Sequence, residues 1–215
     1  MLCCHKNKRT IGKLQKISPE GRGEENWSGK NRKMNLFYLD VETTGFDTKK
    51  NEVIELAFAI EVDGVIHLKM NLFLKPDRLD AIKQEALSVN GWSIDELKKL
   101  PDRKIACDFF CETIEQYRND YNNLNRFKII EYSNGFDLKF MRTIYLSNDQ
   151  FCKHFGKESI NVLSLAKKKL PKIKPHSLKS VARALGINVD DNLIHGAAYD
   201  RDILIKIYSK LKLKR

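Results

Sequence analysis

No run of this sequence is long and apolar enough to cross a bilayer as a helix. Charged residues make up 31% of its 215 positions and interrupt every hydrophobic stretch. The opening residues carry Lys6, Lys8 and Arg9 with no apolar segment behind them, so they do not read as a secretory signal, and the expected location is the cytoplasm. Cysteine is scarce: Cys3, Cys4, Cys107, Cys111 and Cys152 are an odd count without paired C-x-x-C spacing, which excludes a disulfide framework and a zinc ribbon. The Cys3-Cys4-His5 group lacks the second half that a zinc site needs. Cys107 and Cys111, four apart beside Phe110 and Ile114, read as small buried residues on one helix face. No internal repeat is visible, so a solenoid is excluded.

Negative charge is also in short supply. Against 39 Lys and Arg stand 28 Asp and Glu, a formal charge of +11 with a pI near 9.4. An excess of that size favours polyanionic partners, because lysines that neutralise phosphates release condensed counterions, although many basic proteins are merely soluble. The excess is uneven. Residues 1–33 hold nine Lys or Arg and three Glu, net +6, in a stretch without periodicity, which predicts a disordered basic tail. Residues 34–215 keep the remaining +5 and carry enough hydrophobic residues for one core.

Within that domain Leu36 to Leu39 is a short apolar run ending in Asp40, which predicts a buried strand. Glu52 to Val62 and Val65 to Leu74 are two more strand-like runs, joined by the hairpin pair Asp63-Gly64. Helical spacing follows over Leu79 to Val89, and Ser93 with Glu96 forms a capping box that opens another helix. Beyond lie a helix over Asp108 to Tyr121, a strand over Phe127 to Tyr132, a helix over Phe136 to Tyr145 and a short last strand near Ile160 to Leu163. Ser177 to Leu185 and Ala197 to Leu211 complete the predicted helices. The order predicts an α/β architecture, a mixed five-stranded sheet of three antiparallel strands and then parallel ones, flanked by helices.

Three short motifs carry chemistry. In Asp40-Val41-Glu42-Thr43-Thr44-Gly45 the two acidic side chains sit at i and i+2 of a strand and project from one face. Carboxylates held that close repel, so a site that keeps both ionised calls for a hard cation such as Mg²⁺ or Mn²⁺. A solvated acidic strand end before a turn would give the same letters. Asp137, in Asn134-Gly135-Phe136-Asp137, falls in the first turn of a helix, where a carboxylate can serve as a cap as readily as a ligand. His195 and Asp200, five apart, differ in direction by about 140° on a helix. Both face one site only if His195 lies in the loop before the helix and Asp200 inside it. A loop histidine suits a general base near neutral pH. Lys167, Lys168, Lys169, Lys172, Lys174 and His176 form a basic stretch that can track a phosphate backbone or simply face solvent.

Together these segments resemble the DEDDh, or DnaQ-like, 3′-to-5′ exonuclease family, which includes the DNA polymerase III epsilon subunit, RNase T and oligoribonuclease. Asp40 and Glu42 match its first motif, Phe136-Asp137 its second, and His195 with Asp200 its third. Glu85-Ala86-Leu87-Ser88-Val89-Asn90-Gly91 and the Ser177 to Gly186 helix are similar to its non-catalytic segments, so the resemblance runs from about Met34 to Leu211. It departs at Tyr132-Ser133, where the family often has His-Asn, and at Asn90, where a His is common.

The resemblance implies an RNase H-like fold and cleavage of DNA or RNA to nucleoside monophosphates. It implies two Mg²⁺ or Mn²⁺ ions held by Asp40, Glu42, Asp137 and Asp200, with His195 as the base. It also implies that the backbone around Thr43 and Thr44 grips the terminal 3′ hydroxyl, while Phe46 stacks beside the last base or plugs the core. The expected partners are nucleic-acid 3′ ends, single-stranded DNA or RNA, and a DNA polymerase subunit, with no membrane. A non-catalytic nucleic-acid-binding polymerase subunit and an RNase H-like endonuclease are the competing readings.

Overall fold

The computed structural model describes residues 15–16, 35–120, 126–145 and 147–213. Strand β2 (Leu36–Thr43) runs through the middle of the sheet. Its position explains the unbroken apolar run at its start, because both faces of a central strand are covered. Phe37, Leu39 and Val41 join one core, and Leu36 and Tyr38 the core on the opposite face. Strand β3 (Val53–Val62) pairs antiparallel with β2, and β4 (Val65–Phe73) antiparallel with β3. The Asp63-Gly64 turn between them has both φ angles positive, 54° and 86°, as a two-residue hairpin turn requires. Strand β5 (Phe127–Glu131) lies parallel to the other edge of β2, and β6 (Phe155–Asn161) parallel to β5. All five expected strands are therefore present in the expected senses. A sixth, the two-residue β1 (Gln15–Lys16), lies antiparallel on the edge of β4. The expected disorder of residues 1–33 otherwise falls outside the described residues.

The helices are α1 (Gln84–Asn90), α2 (Ile94–Leu97), α3 (Arg103–Asp120), α4 (Phe136–Arg142), α5 (Asn148–His154), α6 (Val162–Lys169), α7 (Leu178–Ala184) and α8 (Ala197–Leu213). One face of the sheet is sealed by α3, α4 and α5 around an aromatic cluster. There the Phe37 ring centroid lies 5.1 Å from Phe58, 4.8 Å from Phe155 and 6.2 Å from Phe110. The other face is covered by α6, α7 and α8, whose Val162, Ala166, Val181, Ile203, Leu204 and Ile207 pack on Leu36, Tyr38 and Ala59. As the spacing predicted, Cys107 and Cys111 lie half-buried against the first core. No helix among the described residues is long and apolar enough to cross a membrane.

The elements differ from the sequence reading at α5 and α6, which it did not include, and in three further places. The single helix expected over Leu79 to Val89 is a 3₁₀ turn, Leu79–Ala81, followed by α1, with Ile82 and Lys83 extended between them. The break lets the Lys83 N–H donate to the Thr44 carbonyl (2.8 Å), so tertiary pairing outweighs helix propensity. The last strand starts at Phe155, five residues before the expected Ile160, and ends at Asn161 rather than Leu163. Asn161 caps α6, its side chain accepting from the Ser164 N–H at 2.9 Å. Helix α3 starts five residues before Asp108, on Asp102, whose carboxylate accepts from the N–H groups of Lys104 and Ile105.

Candidate carboxylate site

Asp40 and Glu42 have the same parity in β2 as Leu36 and Tyr38, so they point toward the face covered by α8. Across the ladder Asp40 faces Ala57, a small residue, while Glu42 faces Glu55. Two acidic residues directly opposite in an antiparallel pair destabilise a sheet unless something offsets the repulsion. Glu55 is buried and accepts from Asn71 Nδ2 at 2.9 Å. Sequence reading overlooked it because it lies inside an otherwise apolar strand. Its signal was parity with Ala57 and Ala59 on the α8 face.

Beyond Thr43 the chain turns sharply. Gly45 has φ 157°, and a Cβ there would stand 2.5–2.7 Å from the Asn51 amide. That amide donates to the carbonyl of Ala81 (2.7 Å) and accepts from the Asp47 N–H (3.0 Å). The Thr44 N–H donates to the Glu52 carbonyl, and the Thr44 hydroxyl accepts from the Glu52 N–H, both at 2.9 Å. Asn90, buried in α1, donates to the Thr43 carbonyl at 3.2 Å and accepts from the Trp92 N–H, so it braces the end of β2. Phe46, at the tip of the turn, is 75% exposed and its ring lies 6.1 Å from Phe136, which removes the core-plug alternative.

Asp137 is buried in the first turn of α4, behind Gly135 in the left-handed region (φ 82°). It is not the cap. The Ser133 hydroxyl accepts from the Phe136 N–H (3.1 Å), and the buried Glu131 accepts from the Leu138 N–H (3.2 Å) and from the Ser133 hydroxyl (2.8 Å). Glu131 is a second carboxylate that the sequence reading did not single out, and a hydrogen bond from Ser159 also reaches it. With the helix end satisfied largely by its neighbours, the Asp137 carboxyl takes hydrogen bonds from Ser133 and the Val41 backbone and acts on Asp40.

His195 is exposed in the loop before α8, in the left-handed region at φ 69°, a conformation that costs a non-glycine residue on the order of 1 kcal/mol. Its N–H donates to Asp200 Oδ2 at 3.3 Å. Asp200 follows in the first turn of α8, so the loop-and-helix arrangement expected for this pair is the one found. Its Oδ1 is buried and has no hydrogen-bond partner. The next residue, Arg201, is buried and donates to the carbonyls of Phe58 (3.2 Å) and Met70 (2.9 Å), which pins α8 to β3 and β4 and so orients Asp200.

The electrostatics tie these elements together. Burial holds the Asp40 carboxyl well above the usual range, and the charges of Asp137, Asp200, Glu42 and Glu55 push it further in the same direction. Asp137 is pushed up to about 7 by burial and by Glu131, against hydrogen bonds from Ser133 and the Val41 backbone. Asp200 is pushed up to about 6 by burial, with Glu55 adding to the rise and His195 opposing it. The structure thus gathers Asp40, Glu42, Asp137 and Asp200 from β2, α4 and α8, with His195 at the border and Phe46 at the rim.

The donor set is hard oxygen, its mutual repulsion is what a cation relieves, and the buried Oδ1 of Asp200 is unsatisfied, so the residues suit Mg²⁺ or Mn²⁺. Among the described residues no three Asp, Glu, His or Cys side chains stand as a finished ligand set.

The sequence model of the exonuclease family of the RNase T type matches residues 37–208, a span that contains every side chain of this site. A DNA polymerase III subunit epsilon from Aquifex aeolicus (strain VF5) is 28% identical over 179 residues, which are 80% of this chain and 78% of that protein. Among solved structures, E. coli exonuclease I in complex with a dT13 oligonucleotide aligns over 84% of this chain with a TM-score of 0.63 and 17% identity. A 3′-exonuclease with 3′-end specific recognition of a histone mRNA stem-loop aligns over 85% with a TM-score of 0.64 and 12% identity. This chain spans 41% of the exonuclease I chain and 83% of the second. At these identities the solved structures establish a shared RNase H-like fold.

Proposed function

The chain belongs to the RNase T type exonuclease family, and from that premise we propose that it is a divalent-metal-dependent 3′-to-5′ exonuclease releasing nucleoside monophosphates from single-stranded DNA or RNA. The observation that carries the reading is the convergence of three family-motif carboxyls, Glu42, Asp137 and Asp200, on a fourth, Asp40, each raising the cost of its ionisation. A fold gains nothing from such a cluster unless something of opposite charge is bound there. Two bound Mg²⁺ or Mn²⁺ ions would supply Lewis acidity toward the scissile phosphate, a lower pKa for the attacking water and charge stabilisation at the leaving 3′ oxygen.

The chain's own groups have separate tasks in this proposal. Asp40, Glu42, Asp200 and Asp137 would hold the ions, with Asp40 the carboxyl on which the other three act. The unpartnered Oδ1 of Asp200 is its free donor atom. His195 takes the proton from the attacking water, and its loop position lets the ring approach and retreat while its N–H stays on Asp200. The Thr43-Thr44 backbone, braced by Asn90, Glu52 and Lys83, receives the terminal 3′ hydroxyl. Phe46, exposed beside Phe136, stacks on the terminal base. Likeness to a polymerase III epsilon subunit extends the proposal to a polymerase partner.

Incubation with 5′-labelled DNA and RNA in Mg²⁺, Mn²⁺ or EDTA tests the function. Ladders shortening by single nucleotides from the 3′ end, abolished by EDTA, are the expected result. Internal cuts would make the chain an endonuclease, and retention without cleavage would make it a binding subunit.

A further inference from the structure

Outside the carboxylate site, positive charge is concentrated in one stretch. Between Glu158 and Asp190 there is no acidic residue, while six lysines and Arg183 give residues 159–189 a net +7. The rest of residues 34–215 sums to −2. Part of this charge is engaged: Lys179 and Arg183 both face Asp191 at 2.7 Å, and Lys169 donates to the Leu211 carbonyl at 2.8 Å. Lys167, Lys168, Lys172 and Lys174 are exposed, and among the described residues no carboxylate lies within ion-pair distance of them.

These four lysines occupy the last turn of α6 and the loop that leads to α7. The segment is tied to the site before and after these lysines. Before them Asn161, which caps α6, donates through Nδ2 to Asn134 Oδ1 at 2.7 Å, three residues before Asp137. After them the Tyr132 hydroxyl, which follows β5 and lies five residues before Asp137, donates toward the carbonyls of His176 (3.1 Å) and Ser177 (3.3 Å), and α7 is joined through Lys179 and Arg183 to Asp191, in the loop that carries His195. The unpaired lysines therefore lie on a segment anchored to the elements that hold Asp137 and His195.

We propose that Lys167, Lys168, Lys172 and Lys174 form a track for the phosphate backbone of a single-stranded nucleic acid whose 3′ end lies at the carboxylates. The inference rests on the nuclease reading above for the identity of the strand. The site by itself repels a polyanion, since Glu55 and Glu131 add to its four carboxylates. A neighbouring positive surface supplies the attraction that the acidic pocket cannot. Lysines meet phosphates as point charges and read no sequence, so the track raises affinity without base preference. It acts only on strands long enough to reach it.

The experiment compares the full chain with K167Q/K168Q and K172Q/K174Q. Steady-state cleavage is measured on a dinucleotide and on single-stranded DNA and RNA of about fifteen nucleotides, and binding of the long strands is followed by fluorescence anisotropy in EDTA over a salt series. Near 0.1 M salt the KM and Kd for the long strand should rise roughly fivefold per lysine that meets a phosphate, and the slope of log Kd against log salt should flatten by about 0.7 per lysine. The kcat and all dinucleotide parameters should stay at wild-type values. Wild-type KM and slope in both variants would overturn the track, as would equal weakening on the dinucleotide. The anisotropy arm needs no cleavage, so a wild-type chain that cuts nothing while the variants lose salt slope upholds the track and sinks the nuclease reading.

Discussion

Replacing Asp200 by Asn is expected to stabilise the cation-free protein while ending cleavage. The carboxyl of Asp200 is pushed up to about 6, from an ordinary aspartate value near 4. A carboxyl raised by folding leaves a penalty that is fully present above the folded value and disappears below the unfolded one. Ionised at pH 8, Asp200 therefore costs the fold up to roughly 3 kcal/mol relative to the unfolded chain. Asn keeps the shape and can still accept the His195 N–H that Oδ2 accepts now, but carries no charge. In EDTA at pH 8 the variant should be more stable by roughly 1–3 kcal/mol, a rise in melting temperature of about 3–10 °C for a domain of this size. The gain should shrink steadily between pH 6 and pH 4, where the wild-type carboxyl is itself neutral. Adding Mn²⁺ should reverse the order at pH 8, because ligand binding stabilises only the protein that still holds the ion. Scanning calorimetry at three pH values, with EDTA and with Mn²⁺, reads all of this. A variant less stable than wild type in EDTA at pH 8, or one stabilised by Mn²⁺ as fully as wild type, would refute the reasoning.

Other substitutions separate the remaining parts of the site. His195→Ala should lower kcat by roughly 10²–10⁴ at neutral pH, the usual range for a lost general base, with Mn²⁺ affinity within about twofold of wild type in calorimetry. Gly45→Ala brings a Cβ against the Asn51 amide and should cost on the order of 1–3 kcal/mol of stability in urea unfolding, together with a lower kcat as the Thr43-Thr44 turn shifts. Glu55→Gln keeps an acceptor for Asn71 but removes a charge that acts on Asp40 and Asp200, so Mn²⁺ should bind about tenfold more weakly with little change in melting temperature.

The strands and the site differ in how far they can be read from residue order. The hairpin at Asp63-Gly64 and the apolar start of β2 were legible because turn chemistry and two-sided burial leave local signatures. Strand β6 was legible only at its end, since its start contains Gly156, Lys157, Glu158 and Ser159 and it lies at the sheet edge, where one-sided exposure dilutes the apolar pattern. The apolar letters after it, Val162 and Leu163, belong to α6, and so short a run has no period of its own. Helix α5 escaped notice although Ser147 caps it through the Gln150 N–H, because seven residues hold barely two turns.

In the site, Asp40, Glu42, Asp137, His195 and Asp200 could be named from their motifs. Glu55 and Glu131 could not, because their relevance comes from cross-strand register and from the end of α4. Asn90 and Ser133, which depart from the family pattern, prove to be braces for the Thr43 carbonyl and for the first turn of α4.

Manganese binding followed by electron paramagnetic resonance, on the wild-type chain from about pH 5 to about pH 8 and on Asp40→Asn and Asp137→Asn at about pH 8, addresses the convergence of carboxyls directly. The account predicts that wild type takes up Mn²⁺ with an affinity that climbs with pH through the range in which Asp200 and Asp137 lose their protons, that Asp40→Asn loses nearly all of it, and that Asp137→Asn loses part. An Asp40→Asn protein that bound Mn²⁺ as wild type does would contradict it.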